Sequence, residues 1–217
     1  MQKWLGDAGS DCRHVVIEPY IADFVCLEVR SIKEKNMSTE KDNPETIRLN
    51  IGGTTPLKGW KILNIQPGPD VDFVGDCTDL SQFPDNSVSE IYASHVLEHL
   101  SYVHVLLSTL KETHRILKAG GILRISVPDF EILCKMFLHP SLNIEQRFFI
   151  MNVVFGGQQD PHDFHKVGLT QEFLSSYLQR AGFSSWRRVS EFRIFTNDCS
   201  TIKLGNQLIS LNVEAIK

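Results

Sequence analysis

The chain has 217 residues, 42% hydrophobic and 22% charged, with a formal net charge of −4; this suits one domain with a sizeable core and excludes a nucleic-acid binder built on a broad basic surface. Its five cysteines, Cys12, Cys26, Cys77, Cys134 and Cys199, are dispersed without a CxxC pair, which excludes a disulfide framework and favours reduced thiols in the cytoplasm. No run approaches the ~18 apolar residues of a membrane span, and no basic flank followed by an apolar stretch marks a secretion signal.

In chain order, Pro19 to about Lys35 places Ile21, Phe24, Val25, Val29 and Ile32 on one side and reads as an amphipathic helix. Lys33–Asn43 is polar and reads as a linker ended by Pro44. Residues 1–43 are therefore expected to form a helical extension and linker, and residues 44–217 an α/β domain. Strands are expected at Thr46–Ile51, Lys61–Ile65, Asp72–Gly75, Glu90–Ser94 and Ile122–Val127. Between the last two, Ser101 is a candidate N-cap, and Val103, Leu106, Leu107, Leu110 and Leu117 fall at helical spacing. Gly120-Gly121 reads as the helix stop. Two helical stretches follow, Phe130–Leu138 and Ile144–Phe155, broken at Pro140, and then the loop GGQQDPHDFHKVG over Gly156–Gly168. A helix from N-cap Thr170 to Ala181, stopped by Gly182, precedes two closing strands near Ser185–Phe195 and Gln207–Ala215.

Asp85 to Asp129 thus reads as a βαβ unit, and such units set their functional loops at the carboxyl ends of the strands, here Ser94-His95 and Pro128-Asp129. Only nine residues, Gly52–Trp60, separate the first two strands, fewer than the about twelve that a parallel crossover normally takes. Helices are therefore expected to be missing beside strands 1 to 3. That leaves apolar sheet surface for the helix around Ile21–Ile32, or for a second subunit in a homodimer, to cover.

The phrases LNIGG (Leu49–Gly53), HVLEH (His95–His99), HRILKAGGILRISVPD (His114–Asp129) and LSSYLQRAGF (Leu174–Phe183) occur in that order. From about Thr46 onward the chain resembles the class I S-adenosylmethionine-dependent methyltransferases, and within them the small-molecule type 11 group. The resemblance implies a Rossmann-like α/β fold. Its sheet would be seven-stranded and mostly parallel, with an antiparallel C-terminal strand pair and, here, a shortened helical layer near strands 1 to 3. It also implies S-adenosylmethionine as cofactor and a lid or acceptor insertion at about residues 130–169.

Read alone, Gly52-Gly53 is either an ordinary turn or a place where a ligand approaches bare backbone. The resemblance makes it the cofactor turn, with Asn50 where the family carries an acid and Thr54 where a second glycine is common. It puts Asn64, or Gln66, at the ribose and Asp76 at the adenine amino group, with the Cys77 backbone amide at the ring. Ser94 and His95 would face the methionine part. Asp76 also suits capping the turn Thr78-Asp79-Leu80, and both readings stay open. Asn50, Thr54 and Asn64 depart from the family pattern, which grounds an alternative: a methyltransferase-like binding protein with a degenerate cofactor site and no catalysis. Asn64→Asp should raise cofactor affinity in a weakened enzyme and not in a repurposed fold.

His95-Val-Leu-Glu98-His99 also fits H-x-x-E-H, a zinc-peptidase pattern that must be helical to put both histidines on one face. Here the run follows a strand and no third ligand stands out, so no metal is expected. The resemblance makes His99 a candidate base toward the acceptor, suited by a pKa near neutrality; capping the next helix is the other reading. His162 and His165, with Asp163 and Lys166, are further catalytic candidates in a loop that is either a lid or a solvated connection. The expected activity is methyl transfer to an oxygen or nitrogen of a small molecule or a glycan building block, with no nucleic-acid or membrane partner.

Overall fold

The computed structural model describes residues 47–196 and 198–217. The expected helix at Pro19–Lys35, its linker, Thr46 and the boundary at residues 43 and 44 lie outside them. The sheet strands are β1 (Ile47–Ile51), β2 (Lys61–Asn64), β3 (Phe73–Val74), β4 (Val88–Ser94), β5 (Leu117–Pro128), β6 (Ser185–Val189) and β9 (Ser210–Ile216); β7 (Lys203–Leu204) and β8 (Gln207–Leu208) form a separate hairpin. The order is β3-β2-β1-β4-β5-β9-β6, parallel as far as β5, with β9 antiparallel to both its neighbours. This is the expected seven-stranded sheet with its antiparallel C-terminal pair.

Alternation along each strand sorts the side chains onto two faces. Leu49, Ile91, Ile125 and Val213 lie on one face, in a common core with Leu106 and Leu110 of α1 (Val105–Ile116) and Leu174 and Leu178 of α4 (Gln171–Ala181). Among the described residues no helix lies between β1 and β4, as the short connections imply. None is needed, because nine extended residues reach about 30 Å, whereas a five-residue strand is only about 17 Å long. No helix of the described residues is long and apolar enough to cross a membrane.

The other face has two parts. Its lower part is an ionic ladder across four strands: Arg124 on β5 bonds Glu90 on β4 and reaches Glu214 on β9 at 3.1 Å, and Arg187 on β6 meets Glu214 at 2.7 Å. Its upper part is covered by the segment between β6 and β7. There Phe192 and Phe195 pack with Trp60 around Tyr92, and the Tyr92 hydroxyl donates to Asp198 Oδ1 at 2.5 Å. Arg124→Ala leaves two half-buried carboxylates without their shared cation. It should cost about 2 kcal/mol, between the values for exposed and buried pairs, read as a lower urea midpoint at unchanged slope.

Helix α1 departs from its expected limits at both ends. It starts at Val105 after His104, and Ser101 instead shapes the preceding turn, its carbonyl accepting from Leu106 N–H at 3.0 Å. It ends at Ile116 because Leu117, fully buried, is drawn into β5 opposite Val88. Lys217 Nζ donates to the carbonyls of Arg115 and Leu117 at 3.1 and 2.7 Å, capping the helix end from far along the chain. Gly120-Gly121 is therefore no helix stop. It sits within β5, where Gly120 has φ 74° and the register against β4 shifts. Strand β6 also stops at Val189, short of the expected Phe195, because the chain turns there to cross the sheet. Helices α2 (Phe130–Phe137) and α3 (Ile144–Phe155) form a second small core with Leu204 and Ile209.

Candidate active site

In a parallel sheet the carboxyl ends of neighbouring strands line up along one edge, and here β3, β2, β1 and β4 bring Asp76, Asn64, Gly52-Gly53 and Ser94-His95 into one row. The turn after β1 is closed against its surroundings. Gly52 has φ 77°, donates its N–H to the Leu63 carbonyl at 2.8 Å, and would carry a Cβ only 2.6 Å from Val96 Cγ2. A Cβ on Gly53 would lie 2.1 Å from Asn50 Nδ2, and Asn50 is itself only 4% exposed beneath the turn. The two glycines are thus dictated by close packing, and they leave a stretch of backbone without side chains at the edge.

Asn64 has a role in this turn. Its Nδ2 donates to the Gly53 carbonyl at 3.0 Å and its Oδ1 accepts from Gln66 N–H at 2.9 Å, so the amide braces the end of β2 to the glycine turn. An amide offers both a donor and an acceptor there, which a carboxylate does not. Asp76 is exposed, and its Oδ1 accepts from Thr78 N–H at 2.9 Å, the turn cap read from sequence. The Cys77 thiol packs against the main core, and burial with the adjacent Asp76 charge pushes its pKa up to about 12.

At the tip of β4, His95 adopts φ 53° and donates its N–H to the Ser126 carbonyl at 2.8 Å, turning the chain out of the strand. Leu97–His99 then forms a single 3-10 turn, so the H-x-x-E-H run is not the helix a zinc peptidase needs. The turn buries Glu98 to 2% exposure, with neither carboxylate oxygen in a hydrogen bond; His95 Nδ1 approaches Oε1 at 3.3 Å without hydrogen-bond alignment. Its main-chain carbonyl accepts from Lys166 and Val167 N–H at 2.7 and 3.3 Å, which hooks the loop Gly156–Gly168 onto the strand edge.

That hook brings His165 beside His99, their rings edge-on with centroids 4.7 Å apart. His99 Nδ1 lies 3.3 Å from the Phe164 carbonyl, which fixes its ring. Burial, reinforced by the His99 charge, pushes His165 down to about 4; burial also lowers His99. His95 is likewise pushed down to about 4, first by burial and then by His165 and His99. Burial raises Glu98 to about 8. At neutral pH the cluster therefore presents uncharged imidazoles with available lone pairs. Ligand atoms of Glu98, His99 and His165 lie within 4.8 Å of one another. His162 instead occupies an exposed turn, its N–H donating to Asp160 Oδ1 at 2.7 Å, and makes none of the contacts that join this cluster. The burial of Glu98 had no signal in the sequence beyond an acid set between Leu97 and His99.

A family model described as "Methyltransferase domain" matches residues 57–125, from the β1–β2 connection into β5. No curated protein matches the chain. Among solved structures, a SAM-dependent methyltransferase from Archaeoglobus fulgidus is similar, with 16% identity and a TM-score of 0.50 over 80% of this chain and 86% of that one. Another is the 1,6-didemethyltoxoflavin-N1-methyltransferase of Burkholderia thailandensis, solved with S-adenosylhomocysteine, at 15% identity and a TM-score of 0.48 over 79% of this chain and 70% of that one. At such identity the first of these likenesses speaks for the fold alone.

Proposed function

We propose that the chain is a class I S-adenosylmethionine-dependent methyltransferase of the type 11 group, a reading supported by the methyltransferase-domain match over residues 57–125, and that it methylates an oxygen or nitrogen of a small molecule or a glycan building block. The cofactor supplies a methyl group already activated by its sulfonium. The protein has to hold two partners in line and manage the acceptor's proton. The residues along the strand edge fit such a cofactor: a turn whose backbone is bare because a Cβ at Gly52 or Gly53 would collide, an amide at Asn64 and a carboxylate at Asp76. Asn50 supports the turn from below, the Cys77 amide and Asp76 border the adenine position, and Ser94 and His95 border the methionine part.

The observation that carries the choice of acceptor is the pair of uncharged, edge-on imidazoles, His99 and His165, beneath the loop Gly156–Gly168. They suit an acceptor that must lose a proton, such as a hydroxyl or an amine. His162, exposed in the same loop, is left a part in acceptor contact.

Asn64→Asp now carries the opposite expectation from the one its sequence position invites. A carboxylate cannot donate to the Gly53 carbonyl and would face it as a second acceptor. Cofactor affinity should fall about fivefold or more, the worth of one lost hydrogen bond. Calorimetric titration checks this, and a gain in affinity would show that the ribose contact outweighs the brace. The acceptor class is tested by supplying methyl-labelled cofactor with panels of hydroxyl- and amine-bearing small molecules and sugar derivatives. Label transfer to either class that is lost in His99→Ala supports the reading. Binding of cofactor without transfer to any acceptor would instead favour the non-catalytic alternative.

A further inference from the structure

We propose that Glu98, His99 and His165 form a binding site for one divalent transition-metal ion, of the zinc, cobalt or iron(II) type, at the acceptor side of the strand edge. Their ligand atoms already lie within 4.8 Å of one another, although they come from a 3-10 turn and from a loop more than sixty residues on. Two imidazoles and one carboxylate are the donor set that such ions take, and three protein ligands leave coordination positions open.

Three independent observations point to a ligand. Glu98 is 2% exposed and both its carboxylate oxygens lack a hydrogen-bond partner, an arrangement costly enough to need a reason. The His99 ring is fixed by the Phe164 carbonyl at Nδ1, which leaves Nε2 as the free donor atom. A carbonyl on the far nitrogen is how metal-binding histidines are commonly oriented. His95, with Nε2 buried and lacking a hydrogen-bond partner, stands next to the carboxylate as an outer neighbour.

The hook between the Glu98 carbonyl and the Lys166 and Val167 amides holds the two halves of the site together without the ion. The site is therefore preformed, and the geometry differs from the H-x-x-E-H peptidase reading, because His95 is replaced by His165 and no helix is involved. With an ion bound, His99 and His165 would serve as its ligands and not as the base, and an acceptor hydroxyl at an open position beside the methyl-transfer edge would lose its proton more readily. That use rests on the proposed methyl transfer. The existence of the site does not, since it can be measured without cofactor or acceptor.

The test is to treat the full chain with chelator, remove the chelator, and titrate with Co2+ by visible absorption and with Zn2+ by calorimetry. The expected result is one ion per chain at micromolar affinity or tighter, with the ligand-field spectrum of a site of mixed nitrogen and oxygen donors. Glu98→Gln and His165→Ala should each weaken binding by more than the ~10–100-fold that an outer partner typically costs. Zn2+ should raise the melting temperature of the parent chain and not of His165→Ala, whose half-buried loop position makes it the safer variant to fold. Absence of binding at a hundredfold excess of metal would overturn the proposal, as would binding unchanged in both variants, which would mark adventitious histidine contacts. Metal binding without methyl transfer would leave this site standing and remove only its catalytic use.

Discussion

Gly52→Ala is expected to reduce affinity for S-adenosylmethionine at least about tenfold, because two costs coincide at one residue. A non-glycine residue at φ 77° is strained by about 1–2 kcal/mol. The added Cβ would also sit 2.6 Å from Val96 Cγ2, so the glycine turn and the turn bearing Glu98 and His99 must part. The global fold should survive, since the change lies at the sheet edge and outside the core. Calorimetric titration reads the affinity, and circular dichroism with the melting temperature reads the fold. Val96→Ala in the same chain should recover part of the loss, because it removes the colliding methyl while leaving the backbone strain in place. Full affinity in Gly52→Ala would mean that the cofactor does not approach this turn.

Tyr92→Ala is expected to have the largest effect on stability, about 3–5 kcal/mol, the range for deleting a buried aromatic ring. Tyr92 is 2% exposed and sits among Trp60, Phe192 and Phe195. It also donates to Asp198, whose carboxylate further accepts from the N–H groups of Ser200 and Ile194. Without the ring, the segment after β6 loses its anchor on the second sheet face, and the melting temperature should fall by about 10 °C. Tyr92→Phe separates the two contributions. It keeps the ring and removes the hydroxyl, so a cost of about 1–2 kcal/mol is expected. Equal losses in the two variants would mean that the hydroxyl, and not the packing, holds the segment.

The elements that were legible in the sequence are those whose signal is local. The βαβ unit around Leu106 and Leu110 announces itself by spacing, and the buried run Ile122–Val127 by composition. The antiparallel closing strands followed from the family resemblance. The limits of α1 were misjudged because they are set from a distance. Leu117 keeps helical spacing yet is taken by the sheet, and the helix end is capped by Lys217, a hundred residues away. Gly120-Gly121 carries the same letters in a helix stop and in a kinked strand. The expected closing strand runs on to Phe195, whereas the chain leaves the sheet after Val189 and packs Phe192 and Phe195 on Tyr92, contacts that folding alone brings together.

The site divides in the same way. Gly52, Gly53, Asn64, Asp76, Ser94 and His95 are singled out by the family resemblance, and the fold sets them in one row because parallel strands align their ends. The duty of Asn64 could not be read, because its partner is a main-chain carbonyl brought close only by folding. The pairing of His99 with His165 likewise depends on the hook between Glu98 and the Lys166 and Val167 amides. His162 has the same residue type and loop as His165, yet lies exposed in a turn of its own. Residue type and neighbourhood in sequence do not distinguish them.

The most direct measurement is calorimetric titration of the full chain with S-adenosylmethionine and with S-adenosylhomocysteine. Binding of both near micromolar affinity, weakened in Gly52→Ala and Asp76→Ala with the melting temperatures of those variants little changed, is the expected result. No heat and no thermal shift with either ligand at millimolar concentration would contradict the assignment of the strand edge as the cofactor site.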